Sequence, residues 1–305
     1  MNQPDKRPYP SGPAMWAAVR SRAKNAAKSS ESSPNDLLRQ FVYTRLLARV
    51  FSSESAHGWV LNGGTAILAR EPNARHTADV DLLRQRISIE DAIADLRTAC
   101  AVDIGDHFRF EVRSSGPAPA GNQADVRGAA ITIDAYCGVR KVDTVMIDLV
   151  VGSLMTVEPE AREAALPFAV PGLPPTTFRL YPVVDHLADK VCATEATYGP
   201  GALRSSRVRD LVDIVTLARL EDFDAAELHT AIQAERANRR LRTATAFQPP
   251  EQWRSPYERL ARRSPSCAGL ENFDDAVAYA RRFLGPVLGE RPRCGLWSAA
   301  TESWS

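Results

Sequence analysis

Three observations predict an α+β fold for this chain. Short apolar runs that end in glycine or turn residues alternate with helical stretches through the first half; the alternation stops at a proline-dense connector; after it only helical periodicity remains. The domain organisation that follows is a flexible basic arm over residues 1–34, a mixed helix-and-strand core over 35–172 and a helical lobe over 173–305.

The elements follow in order. Residues 1–34 are rich in proline, serine and alanine and read as a mobile arm, with Arg20, Arg22, Lys24 and Lys28 clustered where a short basic helix could form. "SPNDLLRQFVYTRLLARVF" offers Ser33 or Asn35 as a cap, and Leu37, Leu38, Phe41, Leu46, Leu47 and Val50 recur at helical spacing. "GWVLNGG" is a strand ending in glycines, "TAILAR" the helix behind it, "TADVDLLR" a second strand, and "SIEDAIADLRTAC" a helix with an acidic first turn. Strand-like runs follow around Phe108–Val112, Ala130–Tyr136 and Val142–Val151, the first set off by the Gly/Pro-rich "SSGPAPAGNQ". Beyond the connector "LPFAVPGLPPTTFRLYP", the stretches "VVDHLADKVCATEA", "VRDLVDIVTLARL", "DAAELHTAIQAERANRRLR" and "FDDAVAYARRFLGPVL" are all helical in period.

Composition narrows the function. The chain has 305 residues, 44% of them hydrophobic and 25% charged, with a formal net charge of +1, which excludes a uniformly basic nucleic-acid binder and leaves only local patches. Its five cysteines are scattered and never spaced as CxxC, so neither a disulfide framework nor structural zinc is expected, and the compartment is a reducing one. No apolar run approaches the roughly 20 residues that span a bilayer, and "MNQPDKRPYP" lacks the apolar core of a signal peptide. A cytoplasmic location without membrane contact is the expectation.

The chemistry centres on "NGGTAILAREPNARHTADVDL". Strand alternation puts Asp79 and Asp81 on one side with Val80 on the other, and two such carboxylates suit magnesium. Gly63 and Gly64 permit close backbone approach at a helix N-terminus, whose amides favour phosphate, and Thr65 adds a hydroxyl. A third carboxylate would complete a two-metal site; Asp148 in "DTVMIDLVVG" is the first candidate, Asp134 its rival and Asp143 a weaker one. Lys190 shares the apolar stripe of its helix, as either a snorkelling lysine or one aimed at triphosphate charge. Asp210 also falls on a core-facing stripe, with Arg207 three residues before it as a helical salt-bridge partner. Arg236, Arg239, Arg240 and Arg242, followed by Phe247, form the best RNA-binding patch, with arginines for phosphates and an aromatic to stack a terminal base; a solvated helix end competes with that account.

In order, GGT, then "RHTADVD" as R-x-T-x-D-x-D, a lysine helix, R-x-R-D-x-x-D and a later "FQPPEQW" resemble the AbiEii/MenT nucleotidyltransferase toxins, relatives of the DNA polymerase β superfamily, over most of residues 35–260. The resemblance implies a polymerase β-like core, a mixed sheet flanked by helices, followed by a helical lobe. It implies transfer of a nucleotide from a nucleoside triphosphate to the 3′ end of tRNA with Mg2+, and a cognate antitoxin as partner. By position, Gly63, Gly64 and Thr65 would seat phosphates, Asp79 and Asp81 would hold magnesium, Lys190 and Arg207 would meet the nucleotide, and Asp210 would orient groups at the catalytic centre. The wider polymerase β pattern has Gly-Ser where Gly63 and Gly64 stand, and Arg209 replaces a more usual lysine. Thr77 should face the metal site, so a phosphate placed on it by the antitoxin or by the enzyme itself would compete for magnesium and repel triphosphate. Other readings are transfer to a protein or small molecule, a catalytically silent nucleotide-binding protein, and a DxD glycosyltransferase, which has no need of GGT.

Overall fold

The computed structural model describes residues 7–30, 32–117, 127–198, 203–289 and 294–305. The chain divides into two compact units. The first comprises the described residues up to Ser153 together with Glu160–Leu180, and the second Leu154–Pro159 with Tyr181–Ser305. The part of "SSGPAPAGNQ" after Pro117 lies outside the described residues.

The first unit has helices α1 (Gly12–Ala26), α2 (Pro34–Val50), α3 (Gly63–Arg70) and α4 (Ile89–Cys100). Its strands are β1 (Trp59–Asn62), β2 (Asp79–Arg84), β3 (Phe108–Pro117), β4 (Arg127–Cys137), β5 (Arg140–Val151), β6 (Glu160–Glu163) and β7 (Thr177–Leu180). The strands form one seven-stranded sheet in the order β3-β4-β5-β2-β1-β7-β6. It is mixed, since β2 runs parallel to β5 and β1 parallel to β7 while the other pairs are antiparallel. The α+β expectation holds. Ser33 is the cap of α2, its Oγ accepting the Asp36 N–H at 3.2 Å with Pro34 opening the helix.

One face of the sheet is the core face. Ile131, Ile133 and Ala135 of β4 and Val145, Ile147 and Leu149 of β5 are fully buried, as are Val80 and Leu82 of β2, in one cluster with Phe41, Leu46 and Val50 of α2 and Leu96 of α4. The alternate positions, Thr132, Met146 and Asp148, look the other way, and Met146 is 43% exposed. Behind the core face Arg45 and Arg49, one turn apart on α2, grip the buried Asp106 at 2.7 and 2.6 Å. Burial opposes that charge, but the two guanidiniums outweigh it and hold the Asp106 carboxyl below its ordinary value.

Two expectations are corrected. The mobile arm contains α1, capped by the Ser11 hydroxyl and buried along Met15, Trp16, Val19 and Ala23. That stripe at helical spacing is the reason, and Arg20, Lys24 and Lys28 occupy the outer side. A Cβ at Gly12 would sit 2.5 Å from the Gly138 nitrogen, so α1 comes within backbone contact of the β4–β5 turn. The proline-dense connector, in turn, ends in β7, an interior strand between β1 and the edge strand β6, and its prolines flank that strand rather than interrupt the pairing.

The second unit contains α5 (Val183–Glu195), α6 (Arg209–Leu220), α7 (Ala225–Arg239), α8 (Arg254–Ala261) and α9 (Phe273–Leu288). It is not purely helical: β8 (Thr197–Tyr198) pairs with β9 (Leu203–Arg204), and β10 (Phe223–Asp224), β11 (Leu296–Ser298) and β12 (Ser303–Trp304) make a three-stranded sheet. Trp297 and Trp304 fasten this C-terminal piece, their indole N–H groups donating to the Ala218 and Phe283 carbonyls at 2.7 and 2.9 Å. In "FQPPEQW", Phe247 and Trp253 are buried, and the Trp253 indole donates to the Ser205 carbonyl at 2.7 Å.

Candidate active site

The site in the first unit is built where β1 turns into α3. Asn62 ends β1 and caps α3, its Oδ1 accepting the Gly63 N–H at 2.7 Å. Gly63 has φ of +60°, and a Cβ there would lie 1.8 Å from Asp81 Oδ2, so only glycine lets the helix start lie flat against that carboxylate. A Cβ on Gly64 would meet the Thr77 side chain at 3.0 Å and Arg75 Nη1 at 3.4 Å. Arg75, first residue of the quoted R-x-T-x-D-x-D, is thus a cation beside the helix start, and it has a partner of its own.

Register gathers the acids. Asp81 pairs with Asn62 on one side and with Asp148 on the other, while Asp79 stands opposite Met146. Residues directly across a sheet share a face, so Asp79, Asp81 and Asp148 all rise from the side opposite the core. Asp148 is solvent-exposed, not the costly buried group that its apolar strand suggests, because its neighbours Ile147 and Leu149 take the core side. Partial burial, then the charge of Asp79, raises its carboxyl pKa. Asp134 is engaged elsewhere by Lys141 at 2.7 Å and Arg113 at 2.6 Å, and Asp143 lies 3.6 Å from Arg39.

Neighbouring hydroxyls hold this arrangement. Thr77 Oγ1 donates to Asp79 Oδ1 at 2.6 Å, and Tyr43 Oη donates to the Ala78 carbonyl at 2.8 Å, fixing the entry to β2. Burial pushes the Tyr43 phenol well above its ordinary range. Thr65 differs from its expected part: it is 5% exposed, and its hydroxyl donates to the Asp79 carbonyl at 2.9 Å, tying α3 to β2. Among the described residues no group of three or more His, Cys, Asp or Glu is drawn together as a ready metal cage. The donor set nevertheless suits a divalent cation: hard carboxylate oxygens, like in charge, on one face, with a proton affinity already raised at Asp148.

The remaining candidates belong to the second unit. Lys190 of α5 is 4% exposed, its ammonium 3.2 Å from Asp210 and 2.8 Å from Asp213, both in the first turns of α6. The snorkelling alternative is thereby excluded, since the ammonium is enclosed with two carboxylates. Arg207, half exposed, donates through Nε to Asp210 Oδ2 at 2.8 Å, the three-residue pair read from sequence. Asp213 was missed although it is the second acid of R-x-R-D-x-x-D.

Half of the expected RNA patch faces inward. Arg236 is 2% exposed and bound to Glu195 at 2.6 Å, and Arg239 is paired with Asp189 and Glu235. Phe247 is buried and offers no stacking face. Opposite acids on α5 and on α7 itself turn these arginines in; Arg240 and Arg242, past the helix end, remain exposed.

Comparison with known proteins gives the family. No protein with a curated description matches the chain. Among solved structures it is similar to MenT4, a nucleotidyltransferase toxin of Mycobacterium tuberculosis H37Rv, at 16% identity and a TM-score of 0.49, covering 88% of this chain and 97% of that one. It is also similar to JHP933 of Helicobacter pylori, at 13% identity and a TM-score of 0.45, covering 84% and 94%. The profile described as nucleotidyl transferase AbiEii toxin, type IV toxin–antitoxin system, matches residues 45–279, from within α2 to within α9. With most of its length so matched, this chain belongs to the AbiEii nucleotidyltransferase toxin family.

Proposed function

We propose that this enzyme is a magnesium-dependent toxin that transfers nucleotides from a nucleoside triphosphate to the 3′ end of tRNA and so blocks translation. The observation that carries the reading is the β2–β5 register, which stands Asp81 beside Asp148 and next to a glycine-lined helix start. Asp79, Asp81 and Asp148 would hold the divalent ions; once bound, these ions supply charge for the in-line displacement at the α-phosphorus. The first-turn amides at Gly63 and Gly64, with Arg75 beside them, would receive the leaving pyrophosphate. Thr65 and Tyr43 act on the backbone of β2 and keep the carboxylates placed.

In the second unit Lys190, Arg207 and Asp210 are proposed for the triphosphate side, with Arg240 and Arg242 left to meet RNA. The expected core of residues 35–172 widens to the first unit, which includes α1 and β7 and is proposed as the catalytic one, and the expected lobe of 173–305 corresponds to the mostly helical second unit. Thr77, hydrogen-bonded to Asp79, is the proposed point of control, since a phosphate there would sit against a metal ligand. Family membership brings a cognate antitoxin as partner. Among the described residues no helix is long and apolar enough to cross a membrane, and a cytoplasmic site of action is proposed.

The test is label transfer from each nucleoside triphosphate to total tRNA with magnesium, comparing the protein with Asp81→Asn. Label in tRNA that falls by about a thousandfold or more in the variant, at unchanged melting temperature, supports the reading. Label on protein, or an Asp81→Asn variant as active as the parent, rejects it.

A further inference from the structure

We infer that the outer face of α1 is a docking ridge for the phosphate backbone of an RNA acceptor, made by Arg20, Lys24 and Lys28; the inference rests on the nucleotidyl-transfer reading above. The acidic face of the sheet does not itself draw a polyanion, because Asp79, Asp81 and Asp148 repel phosphate until cations are bound. Attraction has to come from elsewhere on the unit. Residues 7–30 hold five basic side chains and no aspartate or glutamate, although the whole chain carries a net charge of only +1. The helix also lies before residues 45–279, where the family profile matches, so family membership does not account for its charge.

Packing fixes which way that charge points. Met15, Val19 and Ala23 are buried at four-residue spacing, and Arg20 and Lys24, each next in sequence to one of them, start an exposed row that Lys28 continues. The cations follow one another a helical turn apart, roughly 6 Å. Among the described residues none of the three is paired with a carboxylate, and Lys28 donates to the neutral Asn25 Oδ1 at 3.2 Å. Alongside run Ala17, Ser21 and Asn25, exposed and uncharged, so no opposite sign interrupts the row. A surface kept for solubility intersperses both signs, whereas a single-sign row at regular spacing matches the repeating charge of a phosphate backbone. The apolar side of α1 is packed against the core, which leaves the helix no face to lay into a bilayer. The ridge also ends near the site. Lys28 is four residues from Ser32, at most ~14 Å along the chain, and the Ser32 hydroxyl lies 2.8 Å from His76 Nε2, three residues before Asp79.

The experiment measures binding of a fluorescent RNA hairpin with a single-stranded 3′ end, without triphosphate, over a range of salt concentrations. It compares the parent with a neutral variant, Arg20→Gln with Lys24→Gln and Lys28→Gln, and a charge-retaining one, Arg20→Lys with Lys24→Arg and Lys28→Arg. Triphosphate binding, binding to phosphatidylserine vesicles and melting temperature are read alongside. Because the three side chains are exposed, both variants should melt as the parent does. Three phosphate contacts at about 0.7 each make the salt slope of the neutral variant less steep by about two, and its RNA affinity about ten- to a hundredfold weaker near ~0.1 M salt. The charge-retaining variant should bind as the parent does, and in turnover the neutral variant should raise the acceptor KM at nearly constant kcat. Unchanged RNA affinity and slope in the neutral variant, a loss confined to vesicles or to triphosphate, or an equal loss in the charge-retaining variant overturns the assignment. If the neutral variant loses RNA binding while the parent transfers no nucleotide to RNA, the transfer reading fails and the ridge stands.

Discussion

Two charged clusters, one in each unit, are built in opposite ways. In the first, Asp79, Asp81 and Asp148 bring like charges to one face of a sheet, and Asp148 stands exposed to water. In the second, Asp210, Lys190 and Asp213, with Glu195–Arg236 and Asp189–Arg239–Glu235, alternate in sign and knit α5, α6 and α7 together out of solvent. A buried ion pair holds only while both partners remain, because removing one strands the other in a low-dielectric interior. Like-charged carboxylates on one face raise one another's proton affinity, as Asp79 does for Asp148. The difference sets buried, sign-alternating pairs that hold helices together against an acidic sheet face that is proposed above to take a divalent ion.

Lys190→Met is the sharpest way to break that contrast. It leaves Asp210 and Asp213 buried without their ammonium, and urea unfolding should show a loss of about 3–5 kcal/mol. Full stability with lost nucleotide transfer would instead leave Lys190 only its proposed part at the triphosphate. Gly63→Ala comes next: a left-handed φ costs a β-carbon roughly 1–2 kcal/mol. The same carbon would also displace the Asp81 carboxylate, so transfer should fall about a hundredfold, as misplacement by an ångström does. Parent-like activity in this variant would show that the glycine is not what seats Asp81.

The smallest effect is expected from Asp148→Asn, measured in chelator. Since the folded pKa of Asp148 is raised, the folded state binds the extra proton, and its charged form destabilises above the ordinary value of 3.8. The variant should therefore be slightly more stable than the parent at neutral pH. The gain should shrink to nothing as pH falls through that window, where both states are protonated. A less stable variant at neutral pH would mean that Asp148 is a structural partner.

Local signals were readable where a single element decides the outcome. The Ser33 cap, the strand-glycine-helix passage at residues 59–70 and the shared side of Asp79 and Asp81 follow from spacing alone. Legibility failed where a distant partner sets the outcome. Arg236 and Arg239 look like a solvated basic helix end until Glu195 and Asp189 of α5 face them. Likewise α1 hides its apolar stripe among proline and serine, and Thr65 carries a hydroxyl whose direction is fixed by the Asp79 carbonyl on the next strand.

Sequence by itself determined the alternation of helix and strand and the placing of two acids on one side of β2, because side-chain direction along a strand is a matter of backbone geometry. Only the tertiary structure chose Asp148 over Asp134 as their neighbour and enclosed Lys190 between Asp210 and Asp213. Strand order and helix packing are settled by contacts between residues far apart in the chain, and no local pattern encodes which charges those contacts will bring face to face.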